Sequence, residues 1–310
     1  MQDRSQAADA ALSPQQLGTL RQAVRSLAIA FRDAGLETPD LDARRLVLDG
    51  LSLDSATLLR EPDRRLDSGE QQRIQEACTR RLAREPVSRI LGKRAFYGLD
   101  LEISPATLDP RPDTETLVDG VLRLIADGRA PGGDTPRILD IGTGSGAILV
   151  ALLSRLPKAT GLGTDISEDA LAVARRNASR HGLAHRACFK KTSWADGIEG
   201  PFDLVISNPP YISTEELAGL EPEVTRFDPL SALDGGVDGL SAYRAIAGSL
   251  LCILAPGGWI AVEVGMGQSD AVASILANGL NDRRNDVAGG GLIWCDLGGI
   301  ARCVALEART

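Results

Sequence analysis

Four consecutive residues have the types and spacing to hold a flat amide or amine, and they are Asn208, Pro209, Pro210 and Tyr211. An asparagine side chain offers one acceptor oxygen and two donor hydrogens. Neither proline has an N–H, so the pair cannot continue a β-ladder and holds the backbone extended with its carbonyl acceptors free. We predict that this tetrapeptide grips a planar NH2-bearing substrate. The simpler alternative is a turn that ends a strand, because Asn-Pro often starts turns.

A glycine-rich run upstream has the composition of a turn that cradles a cofactor. Its residues are Gly142, Thr143, Gly144, Ser145 and Gly146. Glycines let backbone N–H groups approach a ligand at the positive end of a helix. Asp165 ends the next predicted strand, where a carboxylate accepts the hydrogens of both ribose hydroxyls. Because Gly142, Gly144 and Ala147 also fit G-x-G-x-x-G/A, a nicotinamide or flavin cofactor is an alternative.

The carboxylate of Asp140 argues against a dinucleotide at this turn. It lies just before Gly142, where its negative charge would repel a pyrophosphate. A zwitterionic cofactor that bears a sulfonium group tolerates such a carboxylate. The charge distribution agrees, since residues 1–94 carry 16 Lys/Arg and 14 Asp/Glu, whereas residues 95–310 carry 18 and 28. The larger part of the chain therefore repels phosphates and lacks the basic stripe that nucleic-acid enzymes usually show.

Alternating strand and helix patterns follow Pro136 and place both groups of residues at strand ends. The predicted strands are 137–141, 161–165, 187–191, 202–207 and 258–265, and the predicted helices are 146–156, 167–181 and 239–254. Such alternation indicates right-handed βαβ units and a parallel sheet covered on both faces. Residues 292–296 and 301–307 indicate a final strand pair, which adds an antiparallel edge. We therefore predict an α/β fold with its ligand site at the carboxyl ends of the strands.

The segment before this pattern has a different periodicity. Between about residues 13 and 85, apolar residues recur at helical spacing, which predicts a small helical bundle. Residues 90–103 indicate a hairpin or short strands, and Pro112 suits the first turn of a following helix. We predict a helical domain over residues 1–87, a linker hairpin over 88–110 and a catalytic domain over 111–310.

The composition restricts the class of protein. The chain has 310 residues, of which 43% are hydrophobic and 25% are charged, so it is long enough for two cores. No apolar stretch approaches the roughly 18 residues of a membrane span, and the polar start lacks the apolar region of a signal peptide. We expect a cytoplasmic protein. Five scattered cysteines and two histidines give no zinc-site or disulfide pattern, so no metal is predicted.

The motifs together resemble the S-adenosylmethionine-dependent methyltransferases that modify planar NH2 groups. Further segments, at 94–98, 108–115, 226–236 and 296–302, are similar to those of the peptide chain release factor N5-glutamine methyltransferases. The resemblance extends from about residue 17 to residue 306. It implies a Rossmann-like class I methyltransferase domain, with a mostly parallel seven-stranded sheet and an antiparallel edge. It also implies that the N-terminal helical bundle binds the substrate.

The same resemblance implies methyl transfer from S-adenosylmethionine to the side-chain amide nitrogen (N5) of the glutamine in the GGQ motif of release factors, which supports translation termination. It places residues 142–146 around the methionine end of the cofactor and Asp165 on the ribose. Trp194 then contacts the adenine end, and Asn208 contacts both cofactor and substrate. Phe96 is a further candidate for the cofactor pocket, with a place in the core as the alternative.

The amide recognition implied by this resemblance uses two acceptors. The side-chain oxygen of Asn208 and the carbonyl oxygen of Pro209 are expected to accept the two hydrogens of the glutamine amide, which aims its nitrogen at the methyl group. Pro210 and Tyr211 complete the slot, and Tyr211 either packs against the amide plane or has a structural role. Arg111 is expected to pair with a carboxylate and to hold the domains in register.

Two places depart from the pattern of that family. Asp109 stands where an apolar residue is usual before Pro-Arg-Pro, and residues 281–291 are unusually polar and rich in glycine. Neither departure touches the residues assigned to methyl transfer. Three alternatives stay open: an adenine-N6 DNA or RNA methyltransferase, which shares Asn-Pro-Pro-Tyr; a nicotinamide-dependent oxidoreductase; and a non-catalytic module that binds translation factors. Direct nucleic-acid binding and membrane binding are not expected.

Overall fold

Helices form the N-terminal unit, as the apolar periodicity predicts. The computed structural model describes residues 12–13, 15–280 and 291–308, and the chain divides into two units, Met1–Gly92 and Lys93–Thr310. The helices of the first unit are α1 (Leu20–Asp33), α2 (Pro39–Leu48), α3 (Thr57–Arg60), α4 (Ser68–Leu82) and α5 (Val87–Leu91). Their apolar stripes meet in one core that includes Leu20, Leu27, Phe31, Leu46 and Ile74.

Polar contacts fix the ends and the pairing of these helices. Asp67 and Glu70 form a capping box at the start of α4, which satisfies two backbone N–H groups that the helix leaves unpaired. Arg81 on α4 and Asp42 on α2 form a buried ion pair, with Nε and Oδ2 2.7 Å apart. The predicted helical bundle is confirmed.

A mixed sheet is the centre of the second unit. Its strands are β3 (Arg137–Ile141), β4 (Thr160–Asp165), β5 (Ala187–Lys191), β6 (Phe202–Ser207), β7 (Leu254–Glu263), β8 (Leu292–Cys295) and β9 (Ala301–Glu307), and β1 (Lys93–Phe96) and β2 (Leu99–Glu102) form a separate hairpin. The sheet order is β5-β4-β3-β6-β7-β9-β8. Pairs up to β7 are parallel, and β9 is antiparallel to both β7 and β8. The predicted seven-stranded sheet with an antiparallel edge is confirmed.

Helices cover both faces of this sheet. They are α6 (Glu115–Ala126), α7 (Ala147–Arg155), α8 (Glu168–Arg180), α9 (Pro222–Thr225), α10 (Ser241–Ala247), α11 (Leu250–Ile253) and α12 (Ser269–Gly279). The single helix predicted over 239–254 is wrong, because the chain forms α10 and α11 with a break at Gly248 and Ser249, two poor helix formers. Strand β7 also begins earlier than predicted, at Leu254.

The strand order reverses beside β3, and this reversal positions the site. From β3 the chain proceeds to β4 and β5 on one side, whereas β6 and β7 lie on the other. The connections that leave β3 and β6 therefore diverge at their carboxyl ends and open a crevice. Ile141 is in register with Ser207, so the glycine-rich run and the Asn-Pro-Pro-Tyr segment begin side by side.

The β1–β2 hairpin is fastened to this region by one buried side chain. Asn177 on α8 accepts from the N–H of Glu102 at 2.8 Å. Its amide donates to the Glu102 carbonyl and to the Ser145 carbonyl, each at 2.9 Å. A single asparagine thus joins the hairpin to the glycine-rich run.

The predicted domain limits, and the expected absence of membrane spans and metal sites, concern the chain as a whole. The domain limits at residues 87 and 110 stay predictions, and residues 281–290 of the polar segment lie outside the described residues. Within the described part of the chain, no helix is long and apolar enough to cross a membrane. The same part contains no group of three or more His, Cys, Asp or Glu side chains arranged to hold a metal ion.

Candidate active site

A cavity lies at the carboxyl ends of the parallel strands and collects most of the predicted site residues. Those that line it are Gly142, Thr143, Gly144, Ser145, Asp165, Trp194, Asn208, Pro209 and Pro210. Two predicted residues, Gly146 and Tyr211, are not among the described residues that line it. The remaining lining residues come mainly from segments 106–114 and 229–232, which were not predicted to form a cofactor pocket.

The glycine-rich run makes an open cradle between β3 and α7. Gly142, Gly144 and Gly146 have φ values of +70°, +56° and +79°, a region that favours glycine. A Cβ atom at Gly142 or Gly144 would meet nothing within 4 Å, whereas at Gly146 it would lie 3.1 Å from Cβ of Ala174. Gly142 and Gly144 therefore leave room for a ligand, and Gly146 allows α7 to pack against α8.

Asp165 is tied to this cradle by its carboxylate. Oδ2 accepts from the N–H of Gly144 and Oδ1 accepts from the N–H of Ser167, both at 2.9 Å. Each carboxylate oxygen has a second acceptor site, so both can still receive ribose hydroxyl hydrogens. The sequence predicted a ribose contact for Asp165 but not its bond to the glycine-rich run.

Asp140 lies beneath the cradle and does not reach the cavity. It is fully buried, and its Oδ2 accepts from the Thr143 hydroxyl at 2.6 Å. Burial raises the pKa of Asp140 to about 7, the Thr143 bond partly offsets this rise, and the charge of Asp165 adds to it. Asp140 thus holds the shape of the turn as a carboxyl group that is partly protonated near neutral pH.

The raised pKa of Asp140 implies that the stability of the folded protein depends on pH. Because the folded pKa exceeds the unfolded value of 3.8, the folded protein keeps a proton that the unfolded chain releases. Stability is therefore lost as pH rises between these two values. We expect Asp140→Asn, which keeps an acceptor for Thr143, to raise Tm by a few degrees at about pH 8 and much less at about pH 4. Thermal melts against Asp127→Asn, an exposed control, measure the difference, and an equal shift at both pH values would contradict it.

Asn208 follows β6 directly and is held by a hydroxyl from another segment. Ser207 anchors the strand end, because its Oγ donates to the Ile141 carbonyl at 2.7 Å. Asn208 Nδ2 donates to Oγ1 of Thr114 at 3.1 Å. Thr114 also lines the cavity and was missed by sequence reasoning. With its NH2 group engaged in this way, Asn208 presents its side-chain oxygen as an acceptor.

Tyr211 is held by contacts with Glu263 and Gln268, and its place in the substrate slot stays a prediction. Its hydroxyl donates to Oε1 of Glu263 at 3.4 Å, and its backbone carbonyl accepts from Nε2 of Gln268 at 2.9 Å. Burial, together with the nearby charge of Glu263, raises the pKa of Tyr211 to about 12. The side chain therefore stays neutral and anchors the end of the Asn-Pro-Pro-Tyr segment to β7.

Arg111 pairs with a carboxylate, as expected, and the link between domains that was expected of it stays a prediction. Its Nη2 lies 2.8 Å from Oδ2 of Asp228, and both residues belong to the second unit. The ion pair joins segment 106–114 to the segment before residue 229, and both segments line the cavity. Asp109, which departs from the family pattern, is buried and has its Oδ1 3.5 Å from Nε of Arg94.

The two aromatic candidates divide between cavity and core. Trp194 lines the cavity, has a left-handed φ of +51° and accepts a hydrogen bond at its carbonyl from the Thr164 hydroxyl at 2.8 Å. Its contact with an adenine ring stays a prediction. Phe96 is 1% exposed and belongs to the core of the second unit, so the core alternative describes it.

Known proteins are similar to this chain over most of its length. The PrmC N-terminal domain model matches residues 9–92, and the methyltransferase small domain model matches residues 124–220. The release factor glutamine methyltransferase of Rhodospirillum rubrum is 51% identical over 246 residues, covering 79% of this chain and 74% of that protein. The protein of the same name from Bradyrhizobium diazoefficiens is 48% identical over 258 residues, covering 83% and 86%.

A solved structure supports the fold. The hMettl16 catalytic domain, determined in complex with MAT2A 3′UTR hairpin 6, is similar with a TM-score of 0.51 at 18% identity. The similarity covers 69% of this chain and 77% of that one. At this identity the likeness concerns the class I methyltransferase architecture alone.

Proposed function

The chain belongs to the release factor glutamine methyltransferase family, and from this premise we propose that it methylates the side-chain amide nitrogen of the GGQ glutamine in release factors. The methyl donor is S-adenosylmethionine. One observation carries the proposal: Asn208, whose NH2 group donates to Thr114, lines the same cavity as the glycine cradle and Asp165. Amide recognition and cofactor binding thus meet at one place.

The residues of the cavity fit the proposed cofactor. Gly142 and Gly144 leave space where side chains would otherwise stand, and Asp165 retains acceptor sites for ribose hydroxyls. Trp194 offers an apolar ring at the rim. When bound, S-adenosylmethionine supplies an electrophilic methyl group on a sulfonium. In its ionised form, the buried carboxyl group of Asp140 behind the cradle disfavours a pyrophosphate there.

The chain contributes orientation to the reaction. An amide nitrogen is a poor nucleophile because its lone pair is delocalised into the carbonyl. The Asn208 oxygen and the Pro209 carbonyl accept the two amide hydrogens, which fixes the nitrogen and stabilises positive charge that grows on it. Holding reactants in such a geometry supplies up to about 7–11 kcal/mol in ideal cases.

No dedicated base is needed in this scheme. Asp165 is the one titratable side chain among the described residues that line the cavity, and the proposal assigns it to the ribose. The amide proton therefore leaves to water after the methyl group has been transferred. The two histidines, His181 and His185, are absent from the described lining.

The alternatives predict different acceptors. An adenine-N6 nucleic-acid methyltransferase shares Asn-Pro-Pro-Tyr, but the net charge of −8 opposes a phosphate backbone. A nicotinamide-dependent oxidoreductase requires a pyrophosphate near Asp140, and a non-catalytic module leaves the cavity without a use. We infer that release factors are the partners, that the N-terminal helical unit contributes to binding them, and that the enzyme works in the cytoplasm, where translation terminates.

One labelling experiment tests the proposal. Purified protein is incubated with methyl-labelled S-adenosylmethionine and, in separate reactions, with a release factor, the same factor with GGQ changed to GGA, plain DNA and ribosomal RNA. We expect label in the unmodified release factor alone. Label in DNA or RNA, or equal label in both release factors, would refute the assignment of the glutamine.

A further inference from the structure

A groove on the surface of the N-terminal helical unit has no part in the scheme above. Its volume is about 640 Å³. Most of the described residues that line it lie on α1, and the others lie on α3, at Pro62 and at Asp40. The N–H of Arg21 donates to the Pro62 carbonyl at 3.0 Å, which joins the start of α1 to the segment after α3. We call this feature the α1 groove.

Large apolar side chains are exposed in the α1 groove. Ile29 is 45% exposed and Leu59 is 80% exposed, and both line the groove together with the half-buried Val24 and Leu58. The α1 residues that fill the core of the unit are different ones, namely Leu20, Leu27 and Phe31. Single exposed apolar residues are common on proteins, whereas several gathered in one concave surface are typical of an interaction site.

Three arginines run along the same groove. Arg21, Arg25 and Arg32 line it, and their spacing of four and seven residues puts them on one face of α1 over about three turns. Asp40 is the one acidic side chain among the described lining residues. The α1 groove therefore combines an apolar surface with a positive edge.

These arginines are available to a partner. Arg32 Nη2 lies 2.8 Å from Oδ2 of Asp40, and Arg21 Nε lies 3.7 Å from Oδ1 of Asp63, but all four side chains are more than half exposed. Such surface ion pairs contribute little to stability and can be exchanged. The Arg25 side chain has no ion pair or hydrogen bond with any residue in the described ranges.

We propose that the α1 groove docks an acidic, amphipathic segment of the release factor, an inference that rests on the proposed function. Carboxylates of that segment pair with the arginines, and its apolar residues cover Ile29 and Leu59. A segment in helical conformation suits a groove of this length, because its apolar residues at i, i+3, i+4 and i+7 form one stripe. The docking is a second contact, apart from the amide slot, that raises the effective concentration of the glutamine.

The lining disfavours other occupants. Proteins that bind single-stranded nucleic acid combine basic residues with aromatic rings on which bases stack. The described residues that line the α1 groove include no aromatic side chain. A lipid surface selects a protruding apolar face flanked by many basic residues, whereas Val24 and Leu58 are half-buried in a concave surface.

The first arm of the test reverses one charge. In Arg25→Glu we expect the Kd for a full-length release factor, measured with S-adenosylhomocysteine present, to rise about 10-fold or more. The Kd should also depend less steeply on salt than that of the wild type. At saturating release factor, kcat should stay within about twofold. Arg73→Glu, at an exposed position on α4 outside the described lining, is the matched control and should bind like the wild type.

The second arm removes apolar surface without changing charge. In Leu59→Gln we expect the Kd for the release factor to rise about fivefold or more, because the leucine side chain is no longer buried by the partner. The salt dependence should match that of the wild type. Leu251→Gln, in which a leucine that is 64% exposed on α11 is replaced, should leave the Kd unchanged.

A short peptide that carries only the GGQ sequence separates docking from chemistry. It lacks the proposed docking segment, so the wild type, Arg25→Glu and Leu59→Gln should methylate it with equal kcat/KM. With the full-length factor, kcat/KM should fall in both variants in proportion to the change in Kd. A loss of peptide methylation in a folded variant would indicate damage to the catalytic site and would overturn the assignment of these residues to docking.

The outcomes distinguish this inference from the proposed function. A wild-type enzyme that methylates no release factor would refute the proposed function. An active wild type, with an unchanged Kd for the factor in either variant, would overturn the inference alone. The same holds if Arg25→Glu alters only self-association in sedimentation, or only binding to transfer RNA or to phosphatidylglycerol vesicles. Thermal melts establish that each variant is folded, and Arg25→Ala or Leu59→Ala replaces a variant that is not.

Discussion

Replacing Asn208 by alanine is expected to lower kcat for glutamine methylation by about 10²–10³-fold, the cost of removing one preorganised group that stabilises developing charge. The variant loses the acceptor for one amide hydrogen and leaves Thr114 without the donor that it has in the structure. Cofactor affinity should change little, because the cradle and Asp165 are untouched. Single-turnover labelling with a release factor and calorimetry with S-adenosylhomocysteine measure the two quantities separately.

A matched control for this variant is Asn278→Ala. Asn278 is exposed on α12, so the same chemical change is made away from the cavity. We expect turnover within about twofold of the wild type there, since surface substitutions usually have small effects. Equal turnover in Asn208→Ala and Asn278→Ala would remove Asn208 from the mechanism.

Replacing Asp165 by alanine is expected to weaken cofactor binding by about 10²-fold, because hydrogen bonds to a charged group contribute about 1.5–3 kcal/mol each. The variant loses the proposed ribose contacts and also the bond from Gly144 that holds the cradle to the end of β4. The effect should appear mainly in the Kd for S-adenosylhomocysteine and in KM for the methyl donor. At saturating donor, kcat should recover substantially.

Asp169→Ala provides the comparison for this second variant. Asp169 is exposed in the first turn of α8, four residues beyond Asp165, and carries the same charge. We expect its Kd for S-adenosylhomocysteine to match that of the wild type. A loss of affinity shared by both variants would indicate a general effect of charge rather than a ribose contact.

The sequence located the two segments of the site because each carries a local signal. The cradle needs glycines at positive φ, and Gly142 and Gly144 have them. The end of β6 needs residues that stop a ladder, and Pro209 and Pro210 do so. The alternation of strands and helices then placed both segments at the carboxyl ends of the strands. In any parallel sheet with crossover helices, these ends lie on the same side of the sheet.

The residues that hold the site residues in place have no comparable local signal in the sequence. Thr114 contacts Asn208, and Glu263 contacts Tyr211. Both are ordinary residues far from their partners in sequence, and these contacts depend on how segment 106–114 and β7 are packed. Gly146 belongs to the same glycine-rich run as Gly142, so the sequence predicts the same role for both. Only the structure shows that Gly146 packs against Ala174 and serves helix packing. The break between α10 and α11 falls at Gly248 and Ser249, and the period of the apolar residues alone does not report it.

The three hydrogen bonds of Asn177 have a consequence for cooperativity. They connect Glu102 on the β1–β2 hairpin with Ser145 in the cofactor cradle, so the cradle cannot open locally without breaking contacts of the hairpin. Elements joined in this way tend to unfold as one cooperative unit. A ligand that stabilises the cradle therefore also suppresses fluctuations of a hairpin that it does not touch, and Asn177 transmits that stabilisation.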